Sequence, residues 1–312
     1  MSSPLLSVII PTHNRPEILR ACLEHLERQT IADQLEVIVV SDGPDEQTKS
    51  IVVGALHAMP LVKYFDIPKS HQGVARNRGM QEATAPVILF IGDDIFLASD
   101  ACALHLQAHS SPLPRRAERG VGEGLGVGVL GFTTWDPAVG ITPVMEWLEH
   151  SGWQFGYPMI EPFNHSTIPS AIQHHFTYTS NISLPTAIAK KFPFREDVTL
   201  YGWEDVEWGW RLKNAGLPPG ALGGAQGGVE LFYEPDARAL HHHHMTMEDS
   251  LKRMETLGKS AVIMDRIAPE LHLVPRGWKL LKYRIASLLP TMRGRHSRAF
   301  VRGCASAVCA SL

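Results

Sequence analysis

The sequence predicts an α/β fold: a mostly parallel central sheet flanked by helices, Rossmann-like in its first half, with a helical, basic C-terminal extension. Three observations predict it. Strand-like runs recur at 6–10, 36–40, 62–65 and 87–91, and segments of helical period separate them at 16–29, 45–58 and 73–83. Strands that alternate with helices of this length imply right-handed βαβ units and hence a parallel sheet. The run 87–91 contains no polar residue, as expected of a strand buried on both faces, and Gly92 then delivers two adjacent carboxylates, Asp93 and Asp94.

Taken in order, each element ends in a polar turn. The first strand runs into Pro11-Thr12-His13-Asn14-Arg15, with Pro16 at the first helical position, where its missing N–H costs nothing. The second strand ends in Ser41-Asp42-Gly43, and the third helix opens Gln72-Gly73-Val74-Ala75-Arg76-Asn77-Arg78. Parallel strands place all these turns on one sheet edge, the usual ligand edge of an open α/β sheet. A helix is expected near 100–109, a Pro/Arg/Gly-rich loop over 110–128 and a strand over 129–134. Residues 145–176, aromatic and His-rich with weak periodicity, suit a substrate-shaping segment. Residues 204–214 read as a helix, 216–228 as a loop and 278–289 as an amphipathic stretch. Three units follow: 1–110 and 111–245 as two halves of one domain, and 246–312 as the extension.

Composition narrows the classes. At 312 residues and 44 % hydrophobic content the chain can bury a substantial core. All 32 acidic residues precede Leu271, whereas eight of the 29 basic residues follow it, from Arg276 to Arg302. An acidic body with a basic tail argues against nucleic-acid binding. Four cysteines without a C-x-x-C pair give neither a disulfide scaffold nor a thiolate zinc site. No basic leader precedes an apolar core at the N-terminus, and no run reaches the ~18–20 apolar residues of a spanning helix. A cytoplasmic protein is expected.

The residues alone leave alternatives open. Asp93-Asp94 is either a solvated acidic turn or a cation site, because two like charges at a buried strand end need a positive partner. Arg76 and Asn77 at a helix start make either an anion-facing edge or a solvated basic face. Glu204, Asp205 and Glu207 in a first helical turn are stabilised by the helix dipole whether or not they do chemistry. Of His241-His242-His243-His244, at most two can share one metal directly, since consecutive strand residues face opposite ways.

Together the segments S-V-I-I-P-T-H-N-R, E-V-I-V-V-S-D-G, G-V-A-R-N-R-G, I-L-F-I-G-D-D and G-W-E-D-V-E-W-G-W-R-L resemble family 2 glycosyltransferases, which have the GT-A fold and use nucleotide-sugar donors. The resemblance implies that Pro11, Thr12, Asn14, Arg15 and Asp42 hold the nucleoside and that Arg76 and Asn77 stand beside the donor. It implies that Asp93 and Asp94 share ribose and metal, with His241 or His243 completing the coordination of Mn2+ or Mg2+. Gly92 stands where the family often has a third acid, which leaves the division of labour between Asp93 and Asp94 open. It implies further that Asp205 is the general base of an inverting transfer with Glu204 beside it, and that Asn181 and Trp203 lie on the acceptor side. The expected donor is a UDP-sugar. The expected acceptor is a saccharide or lipid-linked saccharide of bacterial polysaccharide or glycoconjugate synthesis. Residues 276–302, basic and interleaved with apolar side chains, are expected to permit peripheral contact with an anionic inner membrane face. The alternatives are a catalytically silent nucleotide-sugar-binding relative and a sugar nucleotidyltransferase, whose Gly-rich first turn is replaced here by Pro11-Thr12-His13-Asn14-Arg15.

Overall fold

The computed structural model describes residues 3–55, 61–110, 126–198, 200–216 and 228–309. The first half follows the alternation read from the sequence: β1 (Leu6–Thr12), α1 (Pro16–Glu27), β2 (Leu35–Asp42), α2 (Glu46–Ala55), β3 (Val62–Ile67), α3 (Gln72–Glu82) and β4 (Val87–Phe90). β1 lies parallel between β2 and β4, and β3 continues the parallel set beyond β2. Period-two alternation divides the core into two layers. Leu6, Val8 and Ile10 join Leu19, Leu23 and Leu26 of α1 on one face, while Ile9 joins Ala75 and Met80 of α3 on the other. At the edge away from the polar turns, buried Glu36 accepts hydrogen bonds from Ser7 Oγ, Lys63 Nζ and both the N–H and hydroxyl of Thr84. Those four donors tie β1, β2 and β3 to the turn before β4, so a carboxylate inside a strand is fully satisfied.

The second half is mixed. It comprises β5 (Ile95–Leu97), α4 (Ala101–Ser110), β6 (Gly126–Trp135), α5 (Pro143–Ser151), β7 (Ser166–Thr167), β8 (Ile182–Pro185), α6 (Thr186–Lys191), α7 (Glu204–Lys213) and β9 (Val229–His241). The sheet runs β3-β2-β1-β4-β8-β6-β9-β5, with β7 on β9. β8 is antiparallel to both β4 and β6, whereas the long β6–β9 ladder is parallel. The loops expected at 110–128 and 216–228 lie largely outside the described residues, as do residues 56–58 of the second expected helix.

The β6–β9 register breaks between Gly131, opposite Glu234, and Phe132, opposite Arg238. Pro235, which cannot donate to a ladder, lies in the residues thrown out by this bulge. The fully buried Asn181 fills the bulge. Its Nδ2 donates to Ala237 O and Phe132 O, and its main-chain O accepts from Gly131 N. A Cβ on residue 131 would stand 2.3 Å from Asn181 Nδ2, so glycine is required there. Beyond the bulge, β9 pairs antiparallel with β5, placing His241 opposite Ile95.

Three helices close the chain: α8 (Met247–Ile267), α9 (Gly277–Ser287) and α10 (Met292–Cys309). α8 begins with a reciprocal Thr246/Asp249 capping box. α8 and α10 cross at backbone contact, for a Cβ at Gly258 would lie 2.2 Å from Phe300 O and one at Gly303 2.0 Å from Glu255 O. Met254, Ala261 and Met264 of α8 share an apolar cluster with Val206 of α7 and with Trp203, so the basic extension is packed against the helix that carries Glu204 and Asp205. Among the described residues no helix is long and apolar enough to cross a membrane.

Candidate active site

The C-terminal ends of β1, β2 and β4 open into a cleft of about 630 Å³, closed on its far side by the start of α7 and by α8. Pro11, Thr12, Arg15, Asp42, Arg76, Asp93 and Asp94 from the first half line it, and Trp203, Glu204, Asp205, His241 and His243 from the second half face them across it.

Asp93 and Asp94 form the turn from β4 to β5. Asp93 accepts from Thr12 Oγ1 at 2.7 Å and from Arg15 Nη1 at 2.8 Å, and the same nitrogen reaches Asp94 Oδ2 at 3.0 Å. Burial, reinforced by the neighbouring Asp94 charge and only partly offset by Arg15 and Thr12, pushes the Asp93 carboxyl up to about 6. Burial opposes ionisation of Asp94 as well, but His241 and Arg15 outweigh it and hold this carboxyl well below the usual range. The two acids are thus driven apart in character, as expected of like charges in contact.

His241 Nε2 lies 3.4 Å and His243 Nδ1 4.0 Å from Asp94 Oδ2, and the two imidazoles stack at 5.4 Å. Each of the three residues offers a ligand atom within 4.8 Å of the others, and the buried His241 Nδ1 has no hydrogen-bond partner. One carboxylate and two imidazoles at this spacing fit a divalent cation. His242 and His244 turn the other way, His242 to Asp136 at 2.7 Å and His244 to Val139 O at 2.9 Å. The His242 N–H donates to Asp94 O at 2.7 Å, which clamps the histidine run to the acidic turn. Among the described residues one other cluster has this character, the more exposed His165, Glu234 and Asp236.

Across the cleft, Trp203 adopts φ +70° before α7 and donates its indole N–H to Leu257 O of α8. Glu204 is fixed by Gln72 Nε2 and by Gly202 N at 2.9 Å. The Asp205 carboxylate is bound by its neighbour's N–H, from Val206 at 2.9 Å, and it lines the cleft. Burial first, and the Glu204 charge second, raise it to about 7, against the pull of Arg76. Arg76 itself is only 4 % exposed, yet Nε and Nη1 have no partner. A buried guanidinium with unmet donors at the cleft wall is built to take an anion.

Some expected site residues lie elsewhere. Asn14 does not line the cleft; it takes φ +51° in the turn after β1, a conformation asparagine tolerates, and its amide lies near His13 Nε2. Asn77 is turned off the cleft by the 100° helical step from Arg76. Its amide donates to Phe194 O and Glu196 Oε1 and accepts from Phe194 N. Asn181 spends its amide on the β6–β9 bulge and on His105 Nε2, so it shapes the site without facing it. The second arginine of α3's start, Arg78, packs over Phe65 and pairs with Glu82. Asp42 lines the cleft but is engaged by Lys69 Nζ at 2.7 Å and Ser70 N at 2.6 Å.

Sequence reasoning missed Gln72, Tyr178 and Arg253, all of which line the cleft. Gln72 stands one residue before the quoted glycine motif and was legible as a helix-start amide. Arg253 has no such signal, since the packing of α8 against Trp203 and α7 brings it over the Tyr201 ring, 5.8 Å from its centroid.

Residues 7–113 match the family described as Glycosyl transferase family 2. Over 230 residues the chain is 30 % identical to validoxylamine A glucosyltransferase of Streptomyces hygroscopicus subsp. jinggangensis, covering 69 % of this chain and 53 % of that one. It thus spans about half the length of these relatives. Over 106 residues it is 34 % identical to GalNAc(5)-diNAcBac-PP-undecaprenol beta-1,3-glucosyltransferase of Campylobacter jejuni, covering 33 % of this chain and 34 % of that one. Among solved structures, a mannosyltransferase from Pyrobaculum calidifontis in complex with GDP-Man and Mn2+ superimposes with a TM-score of 0.62 at 14 % identity, covering 100 % and 89 % of the two chains. S. aureus TarS 1-349 in complex with UDP-GlcNAc gives 0.51 at 17 % identity, covering 98 % and 81 %. At such identities the superpositions show the fold, a GT-A-type sheet.

The assignment of Asn181 to the bulge has a direct consequence. Asn181→Ala leaves buried carbonyls and His105 without partners and is expected to cost about 1–3 kcal/mol for each unsatisfied group. It should lower the thermal midpoint, which differential scanning calorimetry measures; an unchanged midpoint would contradict this role of Asn181.

Proposed function

The chain belongs to glycosyl transferase family 2, and we propose that it transfers a sugar from a nucleotide-diphosphate donor, a UDP-sugar first, to an acceptor hydroxyl with inversion at the anomeric carbon. One observation carries this reading: a single cleft joins a carboxylate–imidazole cation site, Asp94 with His241 and His243, to a carboxylate raised to about 7, Asp205, on the opposite wall. Residues 1–245 act as the catalytic unit and 246–312 as a helical extension that closes the cleft.

Asp94, His241 and His243 would hold the cation, and the two imidazoles favour Mn2+ over the harder Mg2+. When bound, it neutralises charge on the departing diphosphate. Thr12 and Arg15 fix Asp93, leaving Asp93 and Asp42 to face the nucleoside. The free donors of Arg76 meet a diphosphate oxygen or the developing charge beside it. Asp205 accepts the acceptor hydroxyl's proton as that oxygen attacks from the face opposite the diphosphate. Its raised pKa suits it to take a proton near neutral pH. Glu204, held by Gln72 and Gly202, maintains that pKa by its charge. Trp203 and Tyr178 give the acceptor sugar flat apolar walls. A lipid-linked saccharide is a suitable acceptor. On α9, Trp278, Leu281 and Ile285 are exposed, as are Leu288 and Leu289 just beyond it, on one helical stripe beside Lys279, Lys282 and Arg284. That combination suits an anionic lipid surface.

Asp205→Asn should retain donor and Mn2+ binding by thermal shift, while transfer falls by about 10²–10⁴-fold; retained transfer would refute the assigned base. A base must be ionised, so kcat/KM of the native protein should climb with pH through about 7 and then level. Stability takes the opposite sign. The folded carboxyl keeps a proton that the unfolded chain, at an ordinary 3.8, loses, so this contribution is complete below 3.8 and is lost as pH rises through about 7. Asp205→Asn should therefore raise the thermal midpoint at pH 8 and change it little at pH 4. For the α9 stripe, the chain should cosediment with phosphatidylglycerol vesicles at low salt and release at high salt; no cosedimentation at low salt removes the membrane contact.

A further inference from the structure

We propose that Arg15 is a built-in counter-cation of the Asp93–Asp94 pair, which the donor's diphosphate draws away so that a divalent cation reaches Asp94 at full affinity. Nucleotide and cation then bind cooperatively through one side chain. The inference rests on reading the cleft as a nucleotide-sugar site and adds a regulatory role to a residue expected only to contact the nucleoside.

The geometry is specific. One nitrogen, Nη1, stands 2.8 Å from Asp93 Oδ1 and 3.0 Å from Asp94 Oδ2, so a single guanidinium bridges both acids. The Asp94 oxygen it touches is the same Oδ2 that faces His241 and His243. A cation bound by those three groups competes with Arg15 for that oxygen and is repelled by its charge. The Arg15 backbone is fixed, because its carbonyl accepts the Leu19 N–H as α1 begins and Pro16 follows. The side chain is the part free to move, and it is a third exposed to the cleft. A planar guanidinium pairs with a phosphate as well as with a carboxylate, so a diphosphate entering the cleft offers it an equivalent partner. Asp93 does not depend on Arg15 alone, since Thr12 Oγ1 also donates to it at 2.7 Å, and the acidic turn therefore persists when Arg15 leaves. Lys69 provides the contrast: it carries the same charge but does not line the cleft, and it is paired with the cleft-lining Asp42 at 2.7 Å.

Any such coupling is reciprocal: the factor by which nucleotide tightens the cation equals that by which the cation tightens nucleotide. The test is Mn2+ titration of the full chain, followed by the electron paramagnetic resonance signal of free Mn2+, with and without UDP. Without UDP, Arg15→Met should bind Mn2+ about tenfold more tightly than the native protein, within the 5–150-fold range of such couplings. The enhancement of Mn2+ binding by UDP should shrink by the same factor. Arg15→Lys, which keeps the charge, should stay near native, and Lys69→Met should change Mn2+ affinity by less than about twofold. Arg15→Gln, neutral but able to donate to both acids, serves as a second charge-removing variant if the methionine protein does not fold. Mn2+ binding that is unchanged or weaker in both neutral variants overturns the proposal, as does an equal gain in Lys69→Met, which would reflect the general field of the cleft. UDP that binds no variant, native included, overturns the nucleotide reading instead, because the UDP-free titration tests Arg15 independently.

Discussion

Two carboxylates buried side by side at the end of a central strand are the constraint on which the rest of this structure depends. Removing such a pair from water costs several kcal/mol unless positive groups and hydrogen-bond donors share it. Every element that meets the β4–β5 turn supplies one of these. β1 contributes the Thr12 hydroxyl, the start of α1 brings Arg15, and the end of β9 brings His241 and the His242 N–H. The result is two acids of unlike character, one raised to about 6 and one kept ionised, at the mouth of one cleft.

The histidines reach this turn only because β9 changes register. The bulge at Gly131, filled by Asn181, throws out residues around Pro235 and redirects the strand so that His241 pairs across from Ile95. Remote packing sets the opposite wall in the same way. The backbone crossing of α8 and α10 presents Leu257 O to the Trp203 indole, and Trp203 in turn precedes Glu204 and Asp205. The basic extension is therefore part of the cleft's construction.

The parallel half was legible because its signal is local: apolar strands alternate with helices, and parallel pairing then carries Thr12, Asp42 and Asp93-Asp94 to one edge. The separation of His241 and His243 from their neighbours came out as the sequence reading expected, although only His241 lies within β9. β5, β7 and β8 were not, since runs of two to four residues give no period, and β9 was hidden by its proline. Asn77 and Asn181 were misplaced because a motif gives a residue's type and position, and not the direction its amide faces; both amides are consumed by backbone partners. Arg253 depends on the packing of α8 against Trp203 and α7, a contact between segments distant in sequence that no local pattern reports.

The most direct measurement is anomalous diffraction at the manganese edge from crystals grown with Mn2+ and UDP. The expected result is a single strong peak within coordinating distance of Asp94 and at least one of His241 and His243, with the diphosphate on its open side and Arg15 turned toward the phosphate. A peak confined to His165, Glu234 and Asp236, or nucleotide density with no manganese at Asp94, would contradict the assignment of this cleft as a metal-dependent nucleotide-sugar site.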